Sequence, residues 1–240
     1  MCRHLWSAIP RLATFALAAA MAAMAHGQQL TKRIDNLPLY GQPGIERSPE
    51  MRRLDDAFIA EAVAGLGTRE RASEAWWAEG ERFAAAGNFD YAMRRYNEAW
   101  LLNPNSFKPY WGIARVLLES DRVEESKLYF SRAVELVDDR YQEPALLCDA
   151  ANAHVFSAKQ STDPEAKRAS FAEADALYAK ALKLDPEYGN ACKRYAMSLY
   201  YQGAYAKAWG MVHEAQQRPG VEIPPGFLEA LAHALPEPAR

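Results

Sequence analysis

The sequence predicts an all-α protein, an α-α superhelix of about four helix-turn-helix units. Residues 73–106 and 107–140 are weak copies of each other, so the chain repeats with a period of 34 residues. Stacked units of this length typically share one continuous core, which indicates a solenoid. The recurring pairs are Trp76 and Tyr110, Gly80 and Ala114, Phe83 and Leu117, Ala92 and Ser126, Tyr96 and Phe130, and Ala99 and Ala133.

The first 27 residues have the layout of a secretory signal peptide. Arg3 and Arg11 precede an apolar run over 12–24, and small residues then offer cleavage after Ala25 or Gly27. A retained anchor would need about 20 apolar residues to cross a bilayer. We therefore expect an exported protein, periplasmic or secreted, with no membrane span in the mature chain.

Charge argues against a nucleic-acid ligand. Cleavage removes two of the 28 basic side chains and none of the 31 acidic ones, so the formal charge changes from −3 to −5. No block of Lys and Arg is present, whereas a nucleic-acid surface needs a concentrated positive field.

Two segments precede the repeats. Residues 28–47 show no apolar period, and we expect them to be extended or disordered. Residues 48–67 predict an N-terminal capping helix, because Ser48-Pro49-Glu50 combines a hydroxyl cap, a proline in the first turn and an acid at the positive helix end.

The repeats resemble the tetratricopeptide repeat (TPR) family. In the first unit an aromatic opens the first helix at Trp76, a small residue follows at Gly80, and Gly87-Asn88-Phe89 forms the turn. Ala92 and Ala99 are small residues seven apart, and Pro104 closes the unit. Glu79 departs from the pattern, since the family prefers Leu there. The resemblance implies protein or peptide binding in a concave groove, and a right-handed stack.

The later units vary in length. The third, 141–188, has 14 residues more than the period, and we predict helices at about 142–159 and 164–184. The tip of this hairpin should project from the stack. The fourth unit is 189–222, and 223–240 is predicted to hold a C-terminal capping helix and tail. The repeats thus lie within 68–222.

A narrower resemblance is to uncharacterised secreted bacterial TPR proteins. It is carried by two stretches, Leu-Pro-Leu-Tyr-Gly at 37–41 and Asn-Glu-Ala-Trp-Leu-Leu-Asn-Pro at 97–104.

The sequence offers no recognisable catalytic or metal-binding motif. His154, His213 and His233 are far apart, with no Cys-x-x-Cys, phosphate loop or nucleophile elbow in the chain. We therefore predict no enzyme activity and no cofactor, and an enzyme with an unrecognised site is the least favoured alternative.

Candidate binding residues follow from the repeat register. In a TPR-like stack the second, fifth, ninth and twelfth residues of each unit face the groove. The candidates chosen from these places are Trp77, Glu81, Lys108, Trp111, Arg115, Asp149, Asn152, Lys193, Met197 and Tyr200. Aromatic and Arg side chains commonly anchor protein partners. Alternatively, the N-terminal helix or a strand at 37–40 buries Trp77, and the basic residues are ordinary solvated charges.

Cys148 and Cys192 remain after cleavage, and both fall on first helices of successive units. They either form a disulfide or remain as two buried free thiols.

The resulting hypothesis is a non-catalytic scaffold that binds a peptide or protein surface. The alternative is a self-associating subunit of an envelope assembly, in which the long third hairpin inserts into a neighbour.

Overall fold

The computed structural model describes residues 30–137 and 143–238, and ten α-helices dominate these two ranges. The helices are α1 (Pro49–Leu66), α2 (Arg69–Ala85), α3 (Phe89–Leu102), α4 (Phe107–Glu119), α5 (Val123–Leu136), α6 (Pro144–Gln160), α7 (Pro164–Leu184), α8 (Gly189–Tyr201), α9 (Tyr205–Gln216) and α10 (Pro225–Ala234). Within these ranges no β-strand occurs. The predicted all-α superhelix is confirmed: α2 to α9 form four packed pairs, and α1 and α10 flank them.

Tyr96 shows why small residues recur at the close approaches between helices. Its ring is fully buried between α2 and α4. A Cβ on Gly80 or on Gly112 would lie 2.5 Å from Tyr96 Cε1. Because such a distance is far inside van der Waals contact, only glycine fits on both sides of the ring. Ala92 and Ala99 on α3 are likewise fully buried.

The turn between the two helices of a unit requires one residue in the left-handed backbone conformation, with a positive φ. Gly87 and Gly203 adopt φ of 72° and 76° at equivalent places in the first and fourth units. Asp121, one period after Gly87, adopts φ of 59°. Asp tolerates this conformation better than most residues, so the second unit keeps the turn without glycine.

The third hairpin is longer than its neighbours. α6 has 17 residues against 13 in α4, and α7 has 21 against 14 in α5. Asp163 caps α7 by accepting a hydrogen bond from the Glu165 amide. Gln160 at the tip donates to Asp121 of the second unit over 2.6 Å, which ties the extension to the turn beside it.

Flanking helices cover both ends of the stack. α1 begins at Pro49, with Ser48 accepting from the Met51 amide, and the ring of Phe58 meets Trp76 edge-on at 5.5 Å. At the other end Trp209 donates to the Leu235 carbonyl over 2.8 Å, which holds the chain after α10 against α9.

The segment before α1 is not disordered over the part that the structure describes. Residues 30–47, here called the N-terminal arm, contain two 3-10 turns, Ile34–Asn36 and Pro38–Gly41. The arm lies on α3, where Asn97 accepts from the Leu39 amide and donates to the carbonyls of Asp35 and Leu37. The sequence led us to expect an extended or disordered segment here, but the arm is folded onto α3. The reason is that the buried Asn97 side chain forms hydrogen bonds with backbone groups of the arm and holds it in place.

The predicted signal peptide and its cleavage sites lie outside the described residues. So do residues 138–142, which join α5 to the third unit. In the two described ranges, no helix combines the length and apolar character needed to cross a membrane.

Candidate functional site

The first helix of each unit contributes to one face of the solenoid. α2, α4, α6 and α8 lie side by side and form this face, which we call the inner groove. Three groove candidates, Glu81, Arg115 and Asp149, follow one another along the chain at intervals of 34 residues. Equivalent residues of adjacent units become neighbours when the units stack, so the repeat itself places these three charges in a row.

These charges alternate in sign and pair across the unit boundaries. Arg115 Nη1 lies 2.6 Å from Glu81 Oε2, and Arg115 Nε lies 3.9 Å from Asp149 Oδ2. Arg194 of α8 closes the row, with Nη1 2.5 Å from Asp149 Oδ1. We call Glu81, Arg115, Asp149 and Arg194 the charge ladder. It joins all four units through side chains that are half-buried.

Ion pairing raises the pKa of both arginines in the charge ladder. Burial alone would lower the pKa of Arg115 and of Arg194, but the carboxylates of Glu81 and Asp149 outweigh it and raise both values. The Tyr96 hydroxyl donates to Glu81 over 2.6 Å, and burial together with this carboxylate raises the pKa of Tyr96 well above its usual value. Arg115 and Arg194 therefore stay charged at neutral pH.

Trp111 is built into the same network. Its indole Nε1 donates to Asp149 Oδ2 over 2.9 Å, and its ring stacks on Phe107 at 6.3 Å between centroids. The side chain is partly buried against the core of the second unit. Trp111 thus supports the groove wall as well as lining it.

Trp77 lies one period before Trp111 and has a different environment. Lys108 Nζ is 4.8 Å from its ring centroid and 2.5 Å from Glu74 Oε2, so both an aromatic face and a carboxylate hold this lysine. The Trp77 ring is half-buried and packs against the core of the first unit. Its Nε1 is buried and has no hydrogen-bond partner among the described residues.

A pocket of about 440 Å³ opens over the charge ladder. Its polar side chains are those of Arg115, Glu119, Asp149, Asn152 and Arg194, and Ala84 and Leu118 are among its apolar ones. A second pocket of about 320 Å³ follows along the groove between α6 and α8. Asn152 and Arg194 border both, so the two pockets are adjacent in the groove.

The predicted groove residues separate into three groups. Arg115, Asp149 and Asn152 line the first pocket, and Asn152, Lys193 and Met197 line the second. Trp77, Glu81, Lys108 and Trp111 form the ladder and wall contacts described above. Tyr200 lines neither pocket. The centroid of its ring lies 5.6 Å from that of Tyr205 and 5.7 Å from that of Phe227, so the ring packs against the C-terminal helix.

Sequence reasoning missed Arg194. The register places Met197 at the ninth position of the fourth unit, equivalent to Asp149, but the charge that reaches Asp149 comes from three residues earlier. Residues three apart lie on the same face of a helix. A search of the residues one turn away from Met197 on α8 would therefore have identified Arg194.

The disulfide is not formed. Cys148 and Cys192 are buried free thiols, which is the second of the two alternatives left open by the sequence. Burial raises the pKa of Cys148 to about 12 and also raises that of Cys192. Both thiols therefore stay protonated and act as small core side chains.

The described ranges hold no group of three or more His, Cys, Asp or Glu side chains arranged for a metal ion. The polar chemistry of the groove is that of hydrogen bonds and ion pairs.

Comparison with known proteins supports the fold. No protein-family model matches the sequence, and no curated protein sequence matches it. The structure is similar to TTC0263, a thermophilic TPR protein of Thermus thermophilus, with a TM-score of 0.58 and 20% identity over 68% of this chain and 80% of that one.

Two further solved structures are more distant. One is YrrB, a TPR protein with an unusual peptide-binding site (TM-score 0.49, 13% identity, 75% of this chain and 93% of that one). The other is yeast Tom70 (TM-score 0.45, 17% identity, 84% of this chain and 45% of that one). The helix pairs described above, together with the likeness to TTC0263, show that this chain has the fold of a TPR-like solenoid.

Proposed function

We propose that the chain is an exported, non-catalytic scaffold that binds an extended peptide or a protein surface in the inner groove. The observation that supports this most directly is the pair of adjacent pockets along the inner groove, which share Asn152 and Arg194. Groove surfaces of this kind bury a partner segment along several units, and the repeat supplies similar contacts at each.

Asn152 has the right chemistry to hold a partner's backbone. Its side chain is half-buried and borders both pockets, and it forms no hydrogen bond with another described residue. An amide offers both donors and an acceptor, so it can pair with a peptide group from either direction. The charge ladder, by contrast, is already paired.

The affinity should be modest, since the pockets are open and the ladder charges need no partner. We expect a Kd on the order of micromolar, as for groove interactions without a deep anchor pocket.

The decisive variant is Asn152→Ala. We expect it to weaken partner binding by about tenfold while thermal unfolding stays unchanged, because the side chain contributes no internal hydrogen bond. Asn105→Ala is the matched control, since Asn105 is exposed on the loop before α4. A partner first recovered by cross-linking in cell envelopes would be purified and titrated by calorimetry against each variant. Equal affinities for both variants would remove Asn152 from the binding surface.

Export is part of the proposal and rests on the N-terminal sequence. Mature protein from the envelope fraction should begin at His26 or Gln28. N-terminal sequencing that recovers Met1, or the apolar run over 12–24, would contradict export by cleavage.

The rival function is self-assembly through the long third hairpin. Residues 161–164 at its tip are polar or proline, which gives the tip no large apolar anchor for insertion into a neighbour. We therefore expect light scattering to show a monomer, and a concentration-dependent oligomer would favour the structural subunit.

A further inference from the structure

The helices of the long third hairpin extend past the end of the first helix of the fourth unit. Ala114, Cys148 and Ala196 are equivalent in the repeat, and α6 continues for twelve residues after Cys148, whereas α8 continues for five after Ala196. The seven additional residues extend α6 by about 10 Å beyond the end of α8. The end of α8, with Tyr201, thus lies beneath an overhang formed by α6 and α7.

Two pockets meet at Tyr201 under this overhang. The pocket of about 320 Å³ lies on the α6 side, and another of about 740 Å³ lies on the α7 side, where Lys167, Arg168 and Asp175 line it. Tyr201 borders both. We call the two pockets together the third-hairpin notch.

Basic side chains dominate the third-hairpin notch. Of its six charged lining residues five are basic, and Asp175 is the only acidic one; the basic residues are Lys159, Lys167, Arg168, Lys193 and Arg194. Arg194 is paired with Asp149, and Asp175 accepts a hydrogen bond from Gln202. The other four basic residues form no ion pair within the described part of the chain. This concentration is local, because the whole chain carries a formal charge of −3.

Aromatic rings lie among these charges. Tyr201 is 44% exposed and Phe156 is 39% exposed, so both rings are accessible to a partner. Lys159 Nζ is 4.1 Å from the Tyr201 centroid and 5.4 Å from that of Phe156. Exposed aromatic rings beside unpaired cations are the combination that anchors charged polypeptides.

We propose that the third-hairpin notch binds an acidic polypeptide segment of a partner protein. Its carboxylates would pair with Lys159 and Lys193 on one side of Tyr201 and with Lys167 and Arg168 on the other. The proposal deepens the scaffold function, on which it rests, by giving the partner's charge and by extending the contact surface from Arg194, at the end of the charge ladder, to the α7 side of Tyr201. Charge complementarity selects the occupant.

A folded second copy and a nucleic acid fit the notch less well. Four unpaired cations divided between two small pockets do not form the long basic track that follows a phosphate backbone. The hairpin tip is polar, so insertion into another copy would bury little apolar surface.

The test uses the mature protein and a fluorescein-labelled glutamate oligomer of about eight residues, which spans about 26 Å when extended. Fluorescence anisotropy should show binding that weakens when salt is raised, since salt screens exposed charges. A glutamine oligomer of the same length should bind at least about tenfold more weakly.

Two charge reversals locate the contact. Lys167→Glu together with Arg168→Glu alters exposed residues without packing roles, and Lys159→Glu tests the other side of Tyr201. Each variant should weaken glutamate-oligomer binding by about tenfold. Lys180→Glu is the matched control for Lys159→Glu, because it makes the same charge change at an exposed site of α7 outside both pockets.

Three results would overturn the proposal. These are absent binding of the glutamate oligomer, equal loss in the Lys180 control, and binding of a thymidine oligonucleotide as tight as that of the glutamate oligomer. Leu118→Ala separates this proposal from the scaffold function, because Leu118 lines the first groove pocket and neither pocket of the notch. It should weaken capture of the groove partner but leave binding of the glutamate oligomer unchanged.

Discussion

Arg115 Nη1 lies 2.6 Å from Glu81 Oε2, across the boundary between the first and second units. The two residues are 34 positions apart, so their contact is a direct product of the repeat. Asp149 continues the row in the third unit. Because each charge already has a partner, the ladder fastens the units together, and a ligand must compete with these internal pairs to use Arg115.

Asp149→Asn should destabilise the protein by about 1–3 kcal/mol, because Asp149 accepts hydrogen bonds from both Trp111 and Arg194 in a half-buried site. Glu135→Gln is the control: its pair with Arg132 is exposed, so solvent screens the pair and its loss should change stability little. Urea unfolding measures both. Equal losses in the two variants would show that the ladder has no special role in stability.

Gly112→Ala should cost about 1–3 kcal/mol, since the new Cβ would lie 2.5 Å from Tyr96 Cε1 and force the ring or α4 to move. Gly210→Ala in α9 provides the control, because nothing lies within 4 Å of a Cβ there. That change should stabilise the protein by about 0.5–1 kcal/mol through helix propensity. Thermal unfolding that ranks the two variants the other way round would contradict the described packing.

Asn97→Ala should release the N-terminal arm from α3, because it removes the acceptor of the Leu39 amide and the donor to the Asp35 and Leu37 carbonyls. We expect faster hydrogen exchange over 35–41 and a loss of about 1–3 kcal/mol. The exposed Asn105→Ala serves again as the control. Unchanged exchange in the arm would mean that its apolar contacts, such as Leu39 against the core, suffice to hold it.

Cys148 should resist thiol reagents in the native protein. With its pKa raised to about 12, the thiol is almost entirely protonated near pH 8, and the thiol form reacts slowly with these reagents. Peptide mapping after labelling should find Cys148 and Cys192 unmodified in native protein and modified in urea. Rapid native labelling, or a disulfide-linked peptide, would contradict two buried thiols.

Because burial raises the pKa of Cys148, we also predict that the protein loses stability at high pH. The folded state holds Cys148 protonated up to about pH 12, whereas an unfolded thiol ionises near its ordinary value of about 9. The contribution is therefore complete below about pH 9 and falls as the pH rises from there towards about 12. Cys148→Ser should flatten this decline in urea unfolding measured between these pH values.

Two stretches singled out in the sequence turn out to touch. Leu37 and Leu39 of the arm are held by Asn97, the first residue of the stretch 97–104. The sequence indicated each stretch separately, but their contact joins residues about 60 positions apart. No local pattern predicts such a pairing, because it depends on where the arm returns along the outer surface of α3.

The sequence by itself determined the helices, the repeat and its inner face. A period of 34 residues with small and aromatic residues at fixed places reflects helix packing, which is a local and repetitive property. This placed Arg115, Asp149 and Asn152 in the groove. The tertiary structure alone decided the rest: the register shift that brings Arg194 to Asp149, the packing of Tyr200 on the C-terminal helix, and the two separate thiols. These features depend on how units of unequal length stack, since a lengthened hairpin changes which side chains meet across a boundary.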